Sequence, residues 1–223
     1  YEIPTYPYYR EQLSISNNKL RTIVKLLLET IFWPIIYKNI HILCVVRCRS
    51  KSMHLKKMRD IFNGFSGKLC DYHSKDLNRL SMIGVGTIFP YHGYEKIIMD
   101  MKETNCLLKN GREIFFHIVG ESAEITRLQL MVKKLKLENN VIFYGKQYGS
   151  DLEDIYEQAN LGIGTLRLSL RNADIDTAIK NIEYLSYYLP VISSGKIFNM
   201  DYNSGLILQI PETERIDFNK IYD

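Results

Sequence analysis

Lys180 and Glu183 are the two residues whose types and spacing most directly suggest chemistry. They lie in the segment Lys180–Ser193, which predicts a helix followed by a buried strand that Pro190 opens. Residues three apart share one face of a helix, so both side chains are expected near its N-terminus. That terminus favours anions, so Lys can contact phosphate while Glu accepts hydrogen bonds from sugar hydroxyls. The same spacing also fits an ordinary surface ion pair on a core-packing helix.

The elements that must position these residues alternate regularly from residue 81 onward. Apolar runs predict strands, and amphipathic stretches between them predict helices. The predicted strands are 82–88, 114–119, 141–144, 161–166, 191–193 and 205–210, and the predicted helices are 93–108, 124–137, 151–159 and 176–188, with a further helix after residue 213. This order indicates an α/β fold with a mostly parallel, Rossmann-like sheet covered on both faces. Ligands of such sheets bind beyond the carboxyl ends of the strands.

The first eighty residues are less regular. Pro4 and Pro7 exclude a helix over residues 1–9, Ser16 or Asn17 is expected to cap the next helix, and residues 41–46 predict a strand. Residues 50–61 are expected to form a basic helix or loop, and residues 67–78 a linker. The chain therefore divides into 1–78, the incomplete end of one α/β domain, and 79–223, a second domain.

Composition is that of a globular protein with one or two cores. The chain has 223 residues, a net charge of +4 and four cysteines without zinc-ligand spacing. These features favour a reduced, cytoplasmic protein and are compatible with a phosphate-bearing ligand. The chain begins at Tyr1, so we expect that the natural N-terminus is missing.

Residues 23–37 form the most apolar stretch. Lys25, Glu29 and Pro34 interrupt it, and it is too short to cross a bilayer. Surrounding cations and Trp33 would suit a membrane surface, but a buried packing helix is the preferred interpretation.

Several functional classes lack their motifs. No G-x-G-x-x-G, P-loop, G-x-S-x-G or H-E-x-x-H pattern occurs, and the basic stretch 47–59 does not resemble a nucleic-acid module. The five histidines (His41, His54, His73, His92 and His117) are scattered, so no metal site is predicted. His92 is the one histidine at the predicted ligand edge.

Four segments, in this order, resemble bacterial group 1 glycosyltransferases of the GT-B fold, the kind that build surface polysaccharides. Residues 84–96 are similar to the first strand, loop and helix of the nucleotide-sugar domain of that family. Residues 117–120 are similar to its second strand and glycine turn, and 140–145 to its third strand. Residues 180–192 resemble the helix and strand that carry the acidic motif of the family.

The resemblance implies roles for particular residues. Glu183 would bind the ribose hydroxyls, Lys180 would lie near the diphosphate, and Gly120 and Glu121 would present N–H groups to phosphate. Residues 145–148 would hold the base, with Leu152 packing on it. The implied donor-binding residues are Glu183, Lys180, Gly120, Glu121, Gly145, Gln147, Tyr148, Leu152, Thr87, His92, Gly93 and Lys96.

The sequence departs from the family pattern at two places. The first Glu of the acidic pair falls at Ile175, between two aspartates. The Arg and Lys that commonly bind diphosphate fall at Thr87 and His92. Lys96, or a protonated His92, would have to compensate.

The resemblance implies a retaining hexosyltransferase that moves a sugar from a nucleotide donor to a hydroxyl of a glycan or lipid-linked acceptor. No metal, cofactor or nucleic acid is expected, and the protein would work in the cytoplasm, with peripheral contact to the inner membrane face left open. A nucleotide-sugar epimerase of similar fold and a degenerate, non-catalytic binding domain are the alternatives. Whether this chain, lacking most of the acceptor domain, turns over by itself is also open.

Overall fold

The computed structural model describes residues 2–6, 8–50, 55–61, 63–65, 69–71, 74–197, 200 and 202–222. The first part of the chain forms a small parallel sheet in the order β1-β2-β3, with two helices. Its elements are β1 (Glu2–Tyr6), α1 (Tyr9–Ile15), α2 (Lys19–Asn39), β2 (Leu43–Arg47) and β3 (Met58–Ile61). Buried Leu43, Val45 and Met58 form the core of this sheet.

Two expectations for this part are corrected. Asn18 caps α2, since its side chain accepts a hydrogen bond from the Arg21 amide at 3.0 Å, so the prediction of Ser16 or Asn17 was wrong. Residues 58–61 are a strand and not a helix or loop, because Met58 is buried and pairs with Leu43. Residues 51–54, and parts of the predicted linker, lie outside the described residues.

The interpretation of α2 as a buried packing helix was also wrong. Within this helix Leu26 is the one buried residue of those described, whereas Leu20, Leu27 and Ile31 are strongly exposed. Trp33 does not face outward as a membrane anchor would, because it packs against the small-sheet core. The apolar residues of α2 therefore lie on more faces of the helix than the one that packs against the small sheet.

The remainder of the chain alternates strands and helices as predicted. Its elements are β4 (Leu80–Val85), α3 (Tyr94–Glu103), β5 (Ile114–Val119), α4 (Ala123–Leu135), β6 (Val141–Gly145), α5 (Gly149–Gln158), β7 (Leu161–Ile163), β8 (Ile175–Asp176), α6 (Ile179–Ser186), β9 (Val191–Ser193), β10 (Lys196–Ile197), β11 (Ile207–Gln209) and α7 (Phe218–Tyr222). Six strands form a parallel sheet in the order β11-β9-β7-β4-β5-β6, which confirms the predicted Rossmann-like α/β fold. The two-stranded pair β8-β10 was not predicted.

Strand order reverses at β4, the first and central strand of this sheet. The chain steps outward through β5 and β6, and then returns to the other side of β4 with β7. In open parallel sheets the crevice beyond the strand ends at such a point is where ligands bind. The division of the chain at residue 78 remains a prediction, although each of the two sheets lies wholly on one side of it.

Two tyrosines hold α3 and α6 close to this sheet because their rings pack on glycines of the strands. A β-carbon at Gly84 would overlap the ring of Tyr94 at the start of α3, and one at Gly162 would overlap the ring of Tyr184 in α6. The Tyr184 hydroxyl accepts a hydrogen bond from the Val85 amide at 2.9 Å and donates to the Ile163 carbonyl at 3.2 Å. It therefore ties α6 to both strands that flank the crevice.

Three neighbouring strands end in glycines with positive φ. Gly86, Gly120 and Gly145 have φ values of 126°, 134° and 68°. The Gly86 amide donates to the Val119 carbonyl at 3.0 Å, and the Gly120 amide donates to the Gly145 carbonyl at 2.8 Å. A β-carbon at Gly120 would overlap the Gly86 carbonyl oxygen, so no other residue fits there without moving the strand ends apart.

We predict that Gly120→Ala lowers the free energy of unfolding by about 3 kcal/mol or more. The positive φ of Gly120 and the steric overlap with the Gly86 carbonyl oxygen both oppose the added methyl group. Gly111→Ala is the matched control, since Gly111 also has positive φ but open space around it. It should cost only about 1–2 kcal/mol. Urea unfolding of both variants measures the difference, and equal losses would contradict the close approach of Gly86 and Gly120.

Candidate functional site

A cavity of about 240 Å³ lies beyond the carboxyl ends of β4, β5 and β6. The ends of these strands form its floor, and α5 and α6 contribute its sides. Its lining residues are Val85, Gly86, Thr87, Val119, Gly120, Glu121, Lys146, Gln147, Tyr148, Leu152 and Glu183. Seven of the residues implied by the family resemblance meet here although they are scattered over about a hundred positions of the chain.

Glu183 is the acidic residue that α6 presents to this cavity. The next residue, Tyr184, is fully buried and fixed by its two hydrogen bonds, so the backbone that carries Glu183 is held in place. Burial raises the pKa of the Glu183 carboxyl, and the nearby Tyr156 hydroxyl acts in the opposite direction. That hydroxyl forms no hydrogen bond of good geometry within the described residues, so its effect is that of a near contact. The Glu183 oxygens therefore remain able to accept hydrogen bonds from a ligand.

The turn after β5 forms a second side of the cavity. Ser122 caps α4, and its hydroxyl accepts a hydrogen bond from the Glu124 amide at 3.1 Å. The Gly120 amide is already bonded to Gly145, so the expectation that it presents a free N–H to phosphate is corrected. Among the described residues the Glu121 amide has no such backbone partner, which leaves it as the donor at this turn. Gly120 contributes close backbone approach instead.

The loop between β6 and α5 forms the third wall. Gly145 ends β6 with positive φ, and the Gln147 side chain donates to the Tyr144 carbonyl at 2.8 Å, which holds the turn. Tyr148 is 74% exposed, and Leu152 is half-buried beneath the loop. A flat ring could lie against Leu152 and accept or donate hydrogen bonds along the backbone of this loop.

From the sequence we expected residues 145–148 to hold the base, and we expected no role for the side chain of Lys146. Among the described residues that line the cavity it is the one Lys or Arg, and its Nζ lies 3.5 Å from a carboxylate oxygen of Glu121. Both side chains are mostly exposed, so this ion pair is weak and either partner can turn to a ligand. The position of Lys146 directly after a strand-ending glycine is the sequence signal that would have found it.

Lys180 lies beside the cavity and not in its wall. It is buried in the first turn of α6, where its Nζ is 3.3 Å from the Tyr94 hydroxyl and 5.5 Å from the centre of that ring. Burial lowers the pKa of Lys180 to about 8, while Asp176 opposes this shift and Arg171 adds to it. The ammonium group is thus a buried cation next to the crevice, separate from the Glu183 carboxylate. The expectation of a simple surface ion pair between the two residues does not hold.

His92 cannot serve as the substitute cation proposed from the sequence. It is buried in a short 3-10 turn, Pro90–His92, and its Nδ1 accepts a hydrogen bond from the Phe89 amide at 2.9 Å. Burial, with Lys180 and Arg171 nearby, lowers the pKa of His92 to about 2. The imidazole is therefore neutral at physiological pH, and the prediction of a protonated His92 was wrong.

Two further predicted residues lie away from the cavity. Gly93 has a φ of 69° and begins α3, where a β-carbon would press on Leu166 and Arg167. Lys96 donates from its Nζ to the carbonyl oxygens of Pro211 and Glu212, at 3.1 and 3.3 Å. These carbonyl oxygens of the C-terminal segment hold the Lys96 ammonium group, so Lys96 does not replace the missing phosphate-binding cation.

The two aspartates that flank Ile175 already have structural partners. Asp176 is fully buried, and its carboxylate accepts hydrogen bonds from the Thr165 amide, the Ser193 hydroxyl and the Ala178 amide. Asp174 accepts from the amide and the hydroxyl of Ser50. Neither carboxylate is free to take the role of the missing acidic residue at position 175.

No group of three or more His, Cys, Asp or Glu side chains able to hold a metal ion occurs in the described part of the chain. The described helices also include none that is long and apolar enough to cross a membrane.

Comparison with known proteins identifies the class. The profile of the family described as glycosyl transferases group 1 matches residues 71–204, more than half of the chain. The chain therefore belongs to this family. Comparison with curated protein sequences finds no match.

Several solved structures share the fold of this chain. Sucrose-phosphate synthase from Thermosynechococcus elongatus is similar with a TM-score of 0.64 and 18% identity, over 94% of this chain and 54% of the other. The Anabaena protein Alr3699/HepE in complex with UDP-glucose gives 0.57 and 13%, over 82% and 53%. WaaG, a glycosyltransferase involved in lipopolysaccharide biosynthesis, gives 0.53 and 14%, over 75% and 47%. The chain spans about half the length of these proteins, and at these identities the likeness establishes the fold alone.

We predict that the neutrality of His92 makes the protein sensitive to acid. The folded pKa of about 2 lies below the ordinary value of 6.5, so below pH 6.5 the unfolded chain binds a proton that the folded chain does not. Stability is then lost by up to about 1.4 kcal/mol per pH unit as the pH falls below 6.5. His92→Asn keeps an acceptor for the Phe89 amide and removes the titration. Urea unfolding between pH 7 and pH 5 should show a shallower pH dependence for the variant, and identical slopes would contradict a neutral His92.

Proposed function

We propose that this chain binds the nucleotide-sugar donor of a glycosyltransferase. The observation that carries the proposal is that Glu183, the Glu121 amide and the 146–148 loop converge on one cavity at the crevice of the sheet. A nucleoside diphosphate has three parts, and the cavity has a matching group for each. A base suits the loop and Leu152, ribose hydroxyls suit the Glu183 carboxylate, and phosphates suit backbone N–H groups.

The donor in this proposal is a UDP-sugar. The Anabaena protein of the same fold was solved in complexes with UDP and with UDP-glucose. The cavity of this chain is consistent with such a ligand, since the 146–148 loop and Leu152 line one part of it and Glu183 another. Selectivity among UDP, GDP and ADP is therefore a direct test of the assignment.

Charge at the diphosphate would come from two sources. The amino end of α6 has no side-chain cap and carries Lys180 in its first turn, so it would direct a partial positive charge to the diphosphate. Lys146 at the cavity rim adds a mobile cation. With these groups a diphosphate leaving group would be stabilised by the chain itself, so we propose that transfer needs no metal.

In the reaction the bond between the anomeric carbon of the sugar and the diphosphate oxygen breaks, and a bond from that carbon to an acceptor hydroxyl oxygen forms. The acceptor loses its proton, and the nucleoside diphosphate leaves. We assign the chain the donor half of this reaction, with retention of configuration and a hexosyl group. Ile175 supplies no carboxylate, so the donor sugar would be held without an acidic contact at that position.

The biological setting that we propose is the assembly of surface polysaccharide at the cytoplasmic side of the membrane, with a glycan or lipid-linked acceptor. The similarity in fold to WaaG, whose role is in lipopolysaccharide biosynthesis, supports this setting. Neither the family match nor the fold comparison supports the epimerase or the degenerate binding domain.

We predict that Glu183→Ala weakens binding of the UDP-sugar by about 1–3 kcal/mol, because ribose hydroxyls would lose their charged acceptor in a half-buried site. Glu138→Ala, which removes an exposed carboxylate away from the cavity, is the matched control and should bind like wild type. Titration calorimetry with UDP, GDP, ADP and their common sugar conjugates provides the measurement.

The expected result for the wild type is selective binding of UDP and its sugar conjugates over GDP and ADP. Two results would overturn the proposal: a folded wild-type chain that binds none of the nucleotides, or a Glu183→Ala variant with unchanged affinity.

A further inference from the structure

One face of α2 exposes a continuous apolar stripe. Its side chains recur at spacings of three and four residues, which places them on one side of a helix of 3.6 residues per turn. The members are Leu20, Val24, Leu27, Leu28, Ile31 and Ile35, with exposed fractions of 49–74%. Monomeric proteins rarely leave an extended apolar surface of this kind without a partner.

The fold fixes the direction in which this stripe points. The opposite side of α2 carries buried Leu26 and half-buried Trp33, and Trp33 packs against the core of the small sheet. The Tyr37 hydroxyl on that side accepts a hydrogen bond from the Lys57 amide at 3.0 Å, and the Lys57 Nζ donates to the Tyr37 carbonyl at 2.8 Å. Because the sheet already occupies that side, the stripe cannot turn inward without breaking these contacts.

The charges around the stripe have one sign. Lys19, Arg21, Lys25 and Lys38 are exposed, and the first three flank the stripe on its two sides. Glu29 is the one acidic residue in the sequence of α2, and it lies off the stripe. Its carboxylate accepts a hydrogen bond from the Tyr8 hydroxyl at 3.1 Å and lies 3.6 Å from the Lys25 Nζ.

We propose that this face of α2 binds the surface of an anionic bilayer, with the helix lying in the interfacial plane. An apolar face between basic flanks buries its aliphatic side chains among the acyl chains, while the cations contact anionic headgroups. Lys and Arg suit the flanks because their aliphatic stems can follow the apolar surface while the charged ends stay in water. The inference does not rest on the proposed donor site, since it uses none of its residues.

Charge complementarity favours a lipid surface over a second copy of the chain. A twofold dimer through this stripe would bring the same cationic flanks toward each other, and the one acidic residue of α2, Glu29, lies off the stripe. An anionic bilayer offers the opposite sign over the whole length of the helix. The face is therefore complementary to lipid headgroups and not to itself.

The test is co-sedimentation with vesicles of phosphatidylcholine alone and of phosphatidylcholine with phosphatidylglycerol at a ratio of about 3:1. The wild-type chain should sediment with the anionic vesicles and far less with the neutral ones, and raising the salt concentration should weaken its binding. Ile31→Glu should lower the partition coefficient about tenfold or more, because it places a carboxylate in the buried stripe.

Leu130→Glu is the matched control, since Leu130 is an apolar residue of α4 that is as exposed as Ile31, at 66% against 67%. It should bind vesicles like wild type. Replacing Lys19, Arg21 and Lys25 by Gln should weaken binding to anionic vesicles about fivefold for each charge removed. Both Glu variants change exposed side chains, so thermal unfolding should show them as stable as the wild type.

Three outcomes would overturn the proposal. The first is a wild-type chain that does not sediment with anionic vesicles. The second is an Ile31→Glu variant that binds anionic vesicles as tightly as the wild type does. The third is a dimer in analytical ultracentrifugation that Ile31→Glu disperses while vesicle binding is absent, which would assign the stripe to a second copy.

Discussion

The Tyr184 hydroxyl is the contact on which the geometry of the candidate site depends. It bonds to the Val85 amide of β4 and to the Ile163 carbonyl of β7, which are neighbouring strands of the large sheet. Its ring occupies the space over Gly162 where a side chain would otherwise stand. These contacts set the depth and rotation of α6. The preceding residue, Glu183, consequently faces the ends of β4, β5 and β6, and Lys180 one turn earlier lies over Tyr94.

The arrangement of positive charge follows from the same packing. His92 is neutral because it is buried and because its Nδ1 already accepts a backbone hydrogen bond. Lys96 is bonded to the C-terminal segment, and Arg171 forms an ion pair with Glu11 of α1 at 2.7 Å. Among the described residues, the cations beside the cavity are Lys180, whose pKa burial has lowered to about 8, and Lys146 at the rim. A site of this kind relies more on backbone N–H groups and helix ends than on fixed Arg side chains.

Much of the fold followed from the sequence, because buried parallel strands leave long apolar runs and helices leave periodic ones. The grouping of Glu183, Gly120 and the 145–148 loop could be expected because strands that run parallel end at one edge. Short or charged elements could not be predicted: β3 is Met-Arg-Asp-Ile, and β8 has two residues. Burial and hydrogen bonds also decided properties that residue type leaves open. The neutral state of His92, the occupied amide of Gly120 and the exposure of α2 all depend on tertiary neighbours.

We propose above all that the cavity beyond β4, β5 and β6 is the nucleotide site. A crystal structure of the chain grown with UDP tests this proposal most directly. We expect ribose hydroxyls within hydrogen-bond distance of the Glu183 carboxylate, the uracil against the 146–148 loop, and the diphosphate toward Thr87 and the amino end of α6. UDP bound elsewhere, or an empty cavity at saturating UDP in a crystal that leaves the cavity open to solvent, would contradict it.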